Sequence, residues 1–249
     1  MDSFSYNADA VIQKFINEPG TMIPLMIFAM GFGFVQYVYC FVMTKRDKIS
    51  PFPAYMHAYY LAHDFMFVLL FRQWFQEYDS IVFQVMWFGM AAFNIFEIVA
   101  LYWTVKYERQ EAFGVYYDKP VTAKQSVQWL AVMTVVSFAI ISCARNFMAD
   151  KIMFIVFIST NTIMAIGPAL QMKKNRVRRK GSLGLAIFIL LGTIATFLPQ
   201  GLGMYTTADP AYFARPWFFV VGICCALIAL WHVITVLKLP LNTEKIVHK

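Results

Sequence analysis

The sequence predicts an all-α, polytopic membrane protein with seven transmembrane helices in one bundle. Hydrophobic residues make up 60% of the 249 residues and charged residues only 14%, whereas a soluble domain carries roughly 25% charged residues. Seven apolar stretches come close to or exceed the roughly 20 residues that span a bilayer. None alternates as barrel strands do, so helices must satisfy their backbone groups in lipid. The stretches are about 22–43, 53–71, 81–105, 127–144, 152–172, 183–203 and 216–237, and they leave no separate soluble domain.

The distribution of basic residues predicts the orientation of these helices. The net charge is +7, and 16 of the 21 basic residues follow the first, third, fifth and seventh stretches. The positive-inside rule then places the N-terminus outside and the C-terminus in the cytoplasm. The same rule explains the basic run KKNRVRRK as a cytoplasmic loop. The other interpretation of this run is a patch that binds RNA or lipid phosphate, and because topology alone explains it, we expect no nucleic-acid partner. The 16 residues are Lys45, Arg46, Lys48, Lys106, Arg109, Lys119, Lys124, Lys173, Lys174, Arg176, Arg178, Arg179, Lys180, Lys238, Lys245 and Lys249.

Cysteine and histidine spacing predicts neither a disulfide framework nor a metal centre. The four cysteines lie within or beside apolar stretches, and no CxxC pair occurs. His57, Asp64, Glu97 and His232 are suitable ligand types, but no HxxxH or Glu-x-x-His spacing is present. The first apolar stretch follows an acidic N-terminus and has no convincing cleavage site, which favours a retained helix over a signal peptide.

Two carboxylates lie within apolar stretches. Asp64 is in PAYMHAYYLAHDFMFVLLF and Glu97 is in IVFQVMWFGMAAFNIFEIVALYWTV. An acid near the bilayer centre costs roughly 2.5–3.5 kcal/mol on insertion scales, so it usually faces a protein interior and serves a function. We therefore expect Asp64, and next Glu97, to take part in chemistry.

Polar side chains form one stripe on most of the predicted helices. Seven steps of 100° bring His57 and Asp64 to one face, with Tyr60 one turn from Asp64. Such stripes face inward in a bundle, and the spacing predicts that His57, Asp64, Glu97 and His232 line one cavity in the cytoplasmic half. Each of these residues also has a purely structural interpretation. The Asn, Thr and Gln residues can form hydrogen bonds between helices, His232 can form a packing hydrogen bond, and His57 can be solvated at the membrane interface.

A buried carboxyl group among aromatic rings is suited to acid chemistry. An apolar environment favours the protonated form of a carboxyl group, which can then act as a general acid. Aromatic faces stabilise a developing cation. This combination suits proton-initiated cyclisation of an isoprenoid, although proton-coupled transporters also need buried carboxylates.

Four segments carry a family resemblance: GFGF through TKRDK to YLAHDF, then FNIFEIVALYWTVKYER, RVRRKGSLGLAIFILLG and ARPWFFVVGICCALIALWH. In this order they resemble the small seven-helix membrane-bound terpene cyclases of fungal meroterpenoid and indole-diterpene pathways and their bacterial relatives. The second helix of that family carries an aromatic–acid pair, typically Asn-x-x-Trp-Glu. Here the pair reads His63-Asp64, with Tyr60 in place of the Asn. The resemblance implies that Asp64 donates the initiating proton.

The chain departs from the family on the seventh helix. The family usually carries a second acid there, where this sequence has Ala229. Glu97 and His232 are the candidates to replace it, so the predicted catalytic residues are Asp64, Glu97 and His232. The predicted substrate-binding residues are His57, Tyr60, His63, Asn94, Asn161, Gln200 and Trp231.

The resemblance also implies the class of substrate. We expect a lipophilic prenylated molecule whose epoxide or alkene is protonated and cyclised through a carbocation, with membrane lipid as the surroundings and no cofactor. The membrane would be the endoplasmic reticulum in a eukaryote or the plasma membrane in a bacterium. Oligomeric state stays open.

Three other membrane-protein classes share the helix number: PQ-loop carriers, retinal proteins and G-protein-coupled receptors. Pro199-Gln200 is the dipeptide of PQ-loop carriers, but only one such pair occurs and the following GLGMYTT does not match. A retinal protein needs a lysine within its seventh helix, and 216–237 contains none. Neither an Asp-Arg-Tyr-like nor an Asn-Pro-x-x-Tyr-like receptor motif appears.

Overall fold

The computed structural model describes residues 6–241, so Lys245 and Lys249 of the charge argument lie outside the described residues. Within that range the chain is helical, and its only β-type pairing is an isolated bridge between Arg178 and Leu241. The helices are α1 (Ala8–Asn17), α2 (Pro19–Asp47), α3 (Ala54–Leu69), α4 (Ile81–Trp103), α5 (Arg109–Phe113), α6 (Ala123–Phe147), α7 (Phe154–Asn175), α8 (Ser182–Thr196), α9 (Met204–Ala208), α10 (Pro210–Phe213) and α11 (Pro216–Lys238).

Each of the seven predicted stretches coincides with a helix, which confirms the all-α prediction for the part of the chain that the structure describes. Among residues 6–241, five helices are long and apolar enough to cross a membrane: Pro19–Asp47, Ile81–Tyr116, Ala123–Phe147, Phe154–Asn175 and Pro216–Lys238. The second of these is α4 continued through a π-helical turn into α5. The remaining two, α3 and α8, have 16 and 15 residues, and α3 is followed after a turn at Leu70 by a further helical segment that ends with the π-helix Gln73–Glu77.

The predicted sixth stretch, 183–203, is longer than the helix that the structure contains. Helix α8 ends at Thr196 with Phe197 as its C-cap. Pro199 lies shortly beyond, and the residue before a proline is disfavoured in helical conformation. The chain then turns through Gly201, whose φ is +86°, and enters α9.

Three short helices at the end of the bundle remote from the basic loops were not expected from the sequence. They are α1, α9 and α10. The side chain of Asn7 caps α1 by accepting a hydrogen bond from the backbone N–H of Ala10 at 3.0 Å. Helix α1 packs against α2 and α9, and its apolar face is buried. Together these helices close that end of the bundle.

The long helices pack around a shared interior. Helix α3 packs on α4 and α6, α11 packs on α7 and α8, and α2 packs on α8. The close approach of α2 and α8 depends on Gly192, because a Cβ there would lie 2.9 Å from the Cβ of Phe32. Large apolar side chains also cover the outward faces, Phe147 being 94% exposed. Such extensive exposed apolar surface is typical of protein that contacts lipid rather than water.

Candidate active site in the helix bundle

Asp64 faces a cavity in the middle of the bundle, which we call the central cavity. Asp64 is only 4% exposed, and the central cavity has a volume of about 70 Å³. Helices α2, α3, α7, α8 and α9 form most of its wall, which is mainly aromatic and methionine-rich. The lining residues include Met30, Gln36, Tyr37, Tyr60, Asp64, Phe93, Phe157, Thr160, Asn161, Met164, Thr196, Met204 and Tyr205.

His63 holds the Asp64 carboxyl group. Its Nδ1 lies 2.8 Å from Asp64 Oδ1, and with the proton on Nδ1 it donates to that oxygen and leaves Oδ2 available. The imidazole is itself fixed by stacking on Phe157, with ring centroids 5.6 Å apart. Arg145 does not neutralise Asp64, because its guanidinium donates to the backbone carbonyls of Asp150 and Lys151. Asp64 therefore has a neighbour that orients it but no fixed cation.

Glu97 is the centre of a second buried group of hydrogen-bonded side chains, the Glu97 cluster, which also contains Tyr37, Ser50 and His57. The Tyr37 hydroxyl donates to Glu97 Oε1. His57 Nδ1 lies 2.6 Å from Glu97 Oε2, and His57 Nε2 lies 2.9 Å from Ser50 Oγ. Because Tyr37 also lines the central cavity, it connects Glu97 with that cavity.

The structure separates the four residues that were expected to line one cavity. Of His57, Asp64, Glu97 and His232, only Asp64 lines the central cavity. His57 shares α3 with Asp64, but its imidazole pairs with Glu97. His232 on α11 is fully buried, and neither of its ring nitrogens has a hydrogen-bond partner among the described residues.

The central cavity extends from the middle of the bundle toward the end remote from the basic loops. Met164 lies midway along α7, and Asp64 is the eleventh of the 16 residues of α3. Phe157 in the first turn of α7, Thr196 at the end of α8, and Met204 and Tyr205 of α9 line the part toward the remote end. A site in the cytoplasmic half stays a prediction.

The predicted substrate-binding residues divide into two groups. Tyr60 and Asn161 line the central cavity, and His63 contacts it through Asp64. Asn94 donates to the Met90 carbonyl at 3.0 Å and lies on a lipid-facing groove between α3, α4 and α6. Gln200 is exposed in the turn after α8, and Trp231 is 38% exposed with Lys173 5.5 Å from its ring.

Sequence reasoning missed the residues that α2 contributes to the site. Gln36 and Tyr37 both line the central cavity, and the Gln36 amide donates to the Phe188 carbonyl of α8 at 3.1 Å. Gln36 could have been predicted, because it is a polar residue inside an apolar stretch. Tyr37 could not have been predicted, because tyrosine is common throughout the apolar stretches of this chain.

A second cavity of about 300 Å³ opens at the basic end of the bundle, and we call it the vestibule. Glu108, Glu111 and Lys174 are among the residues that line it. Glu108 is 6% exposed, and its carboxylate oxygen Oε1 has no partner in the described part of the chain. The backbone of Ser50 and the imidazole of His57 lie near this carboxyl group. The vestibule therefore ends next to the Glu97 cluster.

Over residues 6–241 no group of three or more His, Cys, Asp or Glu side chains is placed to hold a metal ion. No protein-family profile, curated protein or solved structure matches this chain.

Proposed function

We propose that this chain is an integral membrane enzyme of the terpene cyclase type, in which Asp64 protonates an epoxide or alkene of a lipophilic prenylated substrate. One observation carries the proposal: Asp64 is a buried carboxyl group, oriented by His63, that faces a cavity lined by aromatic rings. Burial away from water favours the neutral acid, and the aromatic faces suit a carbocation.

Each proton in the proposed reaction has a donor and an acceptor, and Asp64 regains a proton from the solvent before the next turnover. Asp64 transfers its proton from Oδ2 to the substrate, and the carbocation that results is attacked by a second double bond, which forms a ring. Tyr37, Tyr60, Phe93 and Phe157 offer ring faces to the cation. A carbon next to the final cation loses a proton to the hydroxyl oxygen of Tyr37, which at the same time donates to Glu97.

A prenylated substrate requires the central cavity to widen. Its volume of about 70 Å³ is well below the roughly 300–1,000 Å³ of small-molecule sites. Met30, Met164 and Met204 form part of the wall, and methionine side chains adapt to irregular shapes at low cost. Substrate binding would move these side chains first.

The proposed enzyme has all seven long helices across the membrane, with the N-terminus outside. The basic residues that flank the ends of α2, α4, α7 and α11 support this orientation. Helices α3 and α8 would be the two shorter spans. The membrane would be the endoplasmic reticulum or a bacterial plasma membrane, according to the organism.

The test is turnover by purified Asp64→Asn and Asp64→Glu variants with prenylated epoxides and olefins, followed by mass spectrometry of the products. We expect Asp64→Asn to lose cyclisation by at least about 10²-fold and Asp64→Glu to retain part of it. Asp79→Asn is the matched control, because Asp79 is exposed at the surface. Undiminished cyclisation by Asp64→Asn would exclude Asp64 as the proton donor.

A proton-coupled carrier is the second candidate, and the buried Glu97–His57 pair favours it, because carriers use such groups to move protons. Proteoliposomes distinguish the two proposals. Solute flux driven by a pH gradient, without any new product, would support the carrier and contradict the cyclase.

A further inference from the structure

We infer that the Glu97 cluster is a proton path that connects the central cavity with the vestibule, entering at Tyr37 and ending at Glu108. Its use in turnover rests on the proposed function, because the cyclase must pass on the proton that it takes from the final cation. The path itself can be tested without any substrate.

The path consists of consecutive hydrogen bonds between side chains from α2, the loop after it, α3 and α4. Tyr37 lines the central cavity and donates to Glu97 Oε1. Glu97 Oε2 and His57 Nδ1 are 2.6 Å apart, and His57 Nε2 and Ser50 Oγ are 2.9 Å apart. From Tyr37 to Ser50, each partner is already within hydrogen-bond distance of the next.

Glu108 provides the end of the path that meets water. The backbone of Ser50 lies beside its carboxyl group. The free oxygen Oε1 of Glu108 is buried, and Glu108 lines the vestibule together with the exposed residues Glu111 and Lys174. A buried acid with an unused oxygen at the floor of an open cavity can pass a proton to the solvent.

The transfer starts from a protonated Glu97 and a neutral His57 with its proton on Nε2. A proton that reaches the Tyr37 oxygen displaces the hydroxyl proton to Glu97 Oε1, and Glu97 gives its proton from Oε2 to His57 Nδ1. His57 releases the Nε2 proton to Ser50 Oγ, and the hydroxyl proton of Ser50 then passes to Glu108 once the hydroxyl turns toward it or a water molecule bridges the two. Every group except Glu108 ends with the number of protons that it had at the start, so no oxidant or co-reactant is needed.

Among the titratable groups around Glu97, those hydrogen-bonded to it are the ones that belong to the proposed path. Helix α2 presents Tyr37, and α3 presents His57, Tyr60 and Asp64. Asp64 faces the central cavity instead and pairs with His63. The hydroxyl of Tyr60 donates to the Thr160 carbonyl at 2.8 Å. Neither of these groups is hydrogen-bonded to Glu97, whereas Tyr37 and His57 both are.

The experiment follows the carboxyl proton of Glu97 in the purified full-length protein without substrate. The protein is transferred rapidly from H₂O to D₂O, and time-resolved infrared spectroscopy records the shift of the Glu97 carboxyl band, which is identified by its loss in Glu97→Gln. We expect Ser50→Ala and Glu108→Gln each to slow this exchange at least about tenfold, whereas Ser50→Thr, which keeps a hydroxyl, restores the wild-type rate. Ser126→Ala is the matched control, because Ser126 is buried and has no partner in residues 6–241.

Two results would overturn the path. One is exchange at the wild-type rate in both Ser50→Ala and Glu108→Gln. The other is the absence of a Glu97 carboxyl band in the wild-type protein, since the transfer starts from a protonated Glu97. If Ser50→Ala does not fold, Glu108→Gln alone decides the question. A protein that exchanges as expected but cyclises no substrate would contradict the proposed function and leave the path intact.

Discussion

His63 acts at the residue scale by holding one carboxyl oxygen of Asp64. We expect His63→Phe to keep the stacking on Phe157 but to lose the 2.8 Å hydrogen bond. A hydrogen bond to a charged or ionisable group is worth about 1.5–3 kcal/mol, so cyclisation should fall by about 10- to 100-fold with a changed pH–rate profile. Steady-state turnover across pH measures both.

His232→Phe is the control for this substitution, because His232 is buried but does not line the central cavity. Equal losses in the two variants would mean that packing, rather than the hydrogen bond of His63, supports turnover. A loss in His232→Phe alone would return His232 to the catalytic role that the sequence suggested.

The residues of the site differ in whether the sequence alone could predict them. Asp64 could be singled out because a carboxylate inside an apolar stretch is costly whatever its neighbours are. The partner of Glu97 could not be identified, because the rotation of α2 and α3 about their axes decides whether Tyr37, His57 or Asp64 meets it. One sequence contains no measure of that rotation.

Asp150 stabilises the start of helix α7. Its carboxylate accepts backbone N–H groups of Phe154, Ile155 and Val156 at 2.8, 2.7 and 3.0 Å. We expect Asp150→Ala to lower the free energy of unfolding by about 1–2 kcal/mol, the usual cost of losing an N-terminal cap. Thermal unfolding in detergent measures it, and an unchanged Tm would show that the three N–H groups find other partners.

Titration of the Asp150 carboxyl group should make the stability of the protein depend on pH. Burial raises the pKa of Asp150 above its ordinary value, so the folded protein binds this proton more tightly than the unfolded chain does. The tighter binding of this proton adds to the free energy of unfolding. This added stability is fully present below the ordinary pKa of about 3.9 and is lost as the pH rises through the pKa of the folded state. Asp150→Asn should remove this part of the slope of Tm against pH, and an identical slope in both proteins would contradict the assignment.

Gly192 sets the distance between α2 and α8. A Cβ at this position would meet Phe32 and the Gln36 amide, both at 2.9 Å. We therefore expect Gly192→Ala to cost about 1–3 kcal/mol of stability through overpacking. Gly31→Ala is the control, because nothing lies within 4 Å of that position, and a Tm loss of equal size there would contradict the packing argument.

Helix α1 shows what a search for membrane-spanning stretches overlooks. Its buried residues Val11, Ile12 and Phe15 have helical spacing and follow a capping Asn7, so the signal was present. The helix is only 10 residues long, about half of the roughly 20 residues by which a membrane-spanning stretch is recognised. Helices α9 and α10 have five and four residues, which is too short for any periodicity to appear.

The orientation of the whole molecule can be measured directly. We expect a membrane-impermeant maleimide added outside to label Leu202→Cys and to leave Asp118→Cys unlabelled, in a protein whose exposed Cys143 and Cys224 are replaced by Ser. Both test positions are exposed, and they lie at opposite ends of the bundle. Labelling of Asp118→Cys alone would invert the proposed orientation, and the same reagent after permeabilisation gives the control.

The whole-molecule prediction was accurate in class because composition constrains it strongly. An interior and an exterior that are both apolar leave few architectures besides a helix bundle in lipid. The exact ends of α3 and α8 were less predictable, because apolar residues continue past both ends. Pro199 gave the local signal that 183–203 could not be one helix.

The shortness of α8 has a consequence for the lipids around the protein. At about 1.5 Å per residue, its 15 residues extend over about 22 Å, against a hydrocarbon core of about 30 Å. In the proposed seven-span arrangement, one position on the perimeter is therefore mismatched to a bilayer of ordinary thickness. Adjacent acyl chains must compress there, at a cost of fractions of a kcal/mol per ångström. Thin bilayers would thus hold this protein with less elastic strain than thick ones.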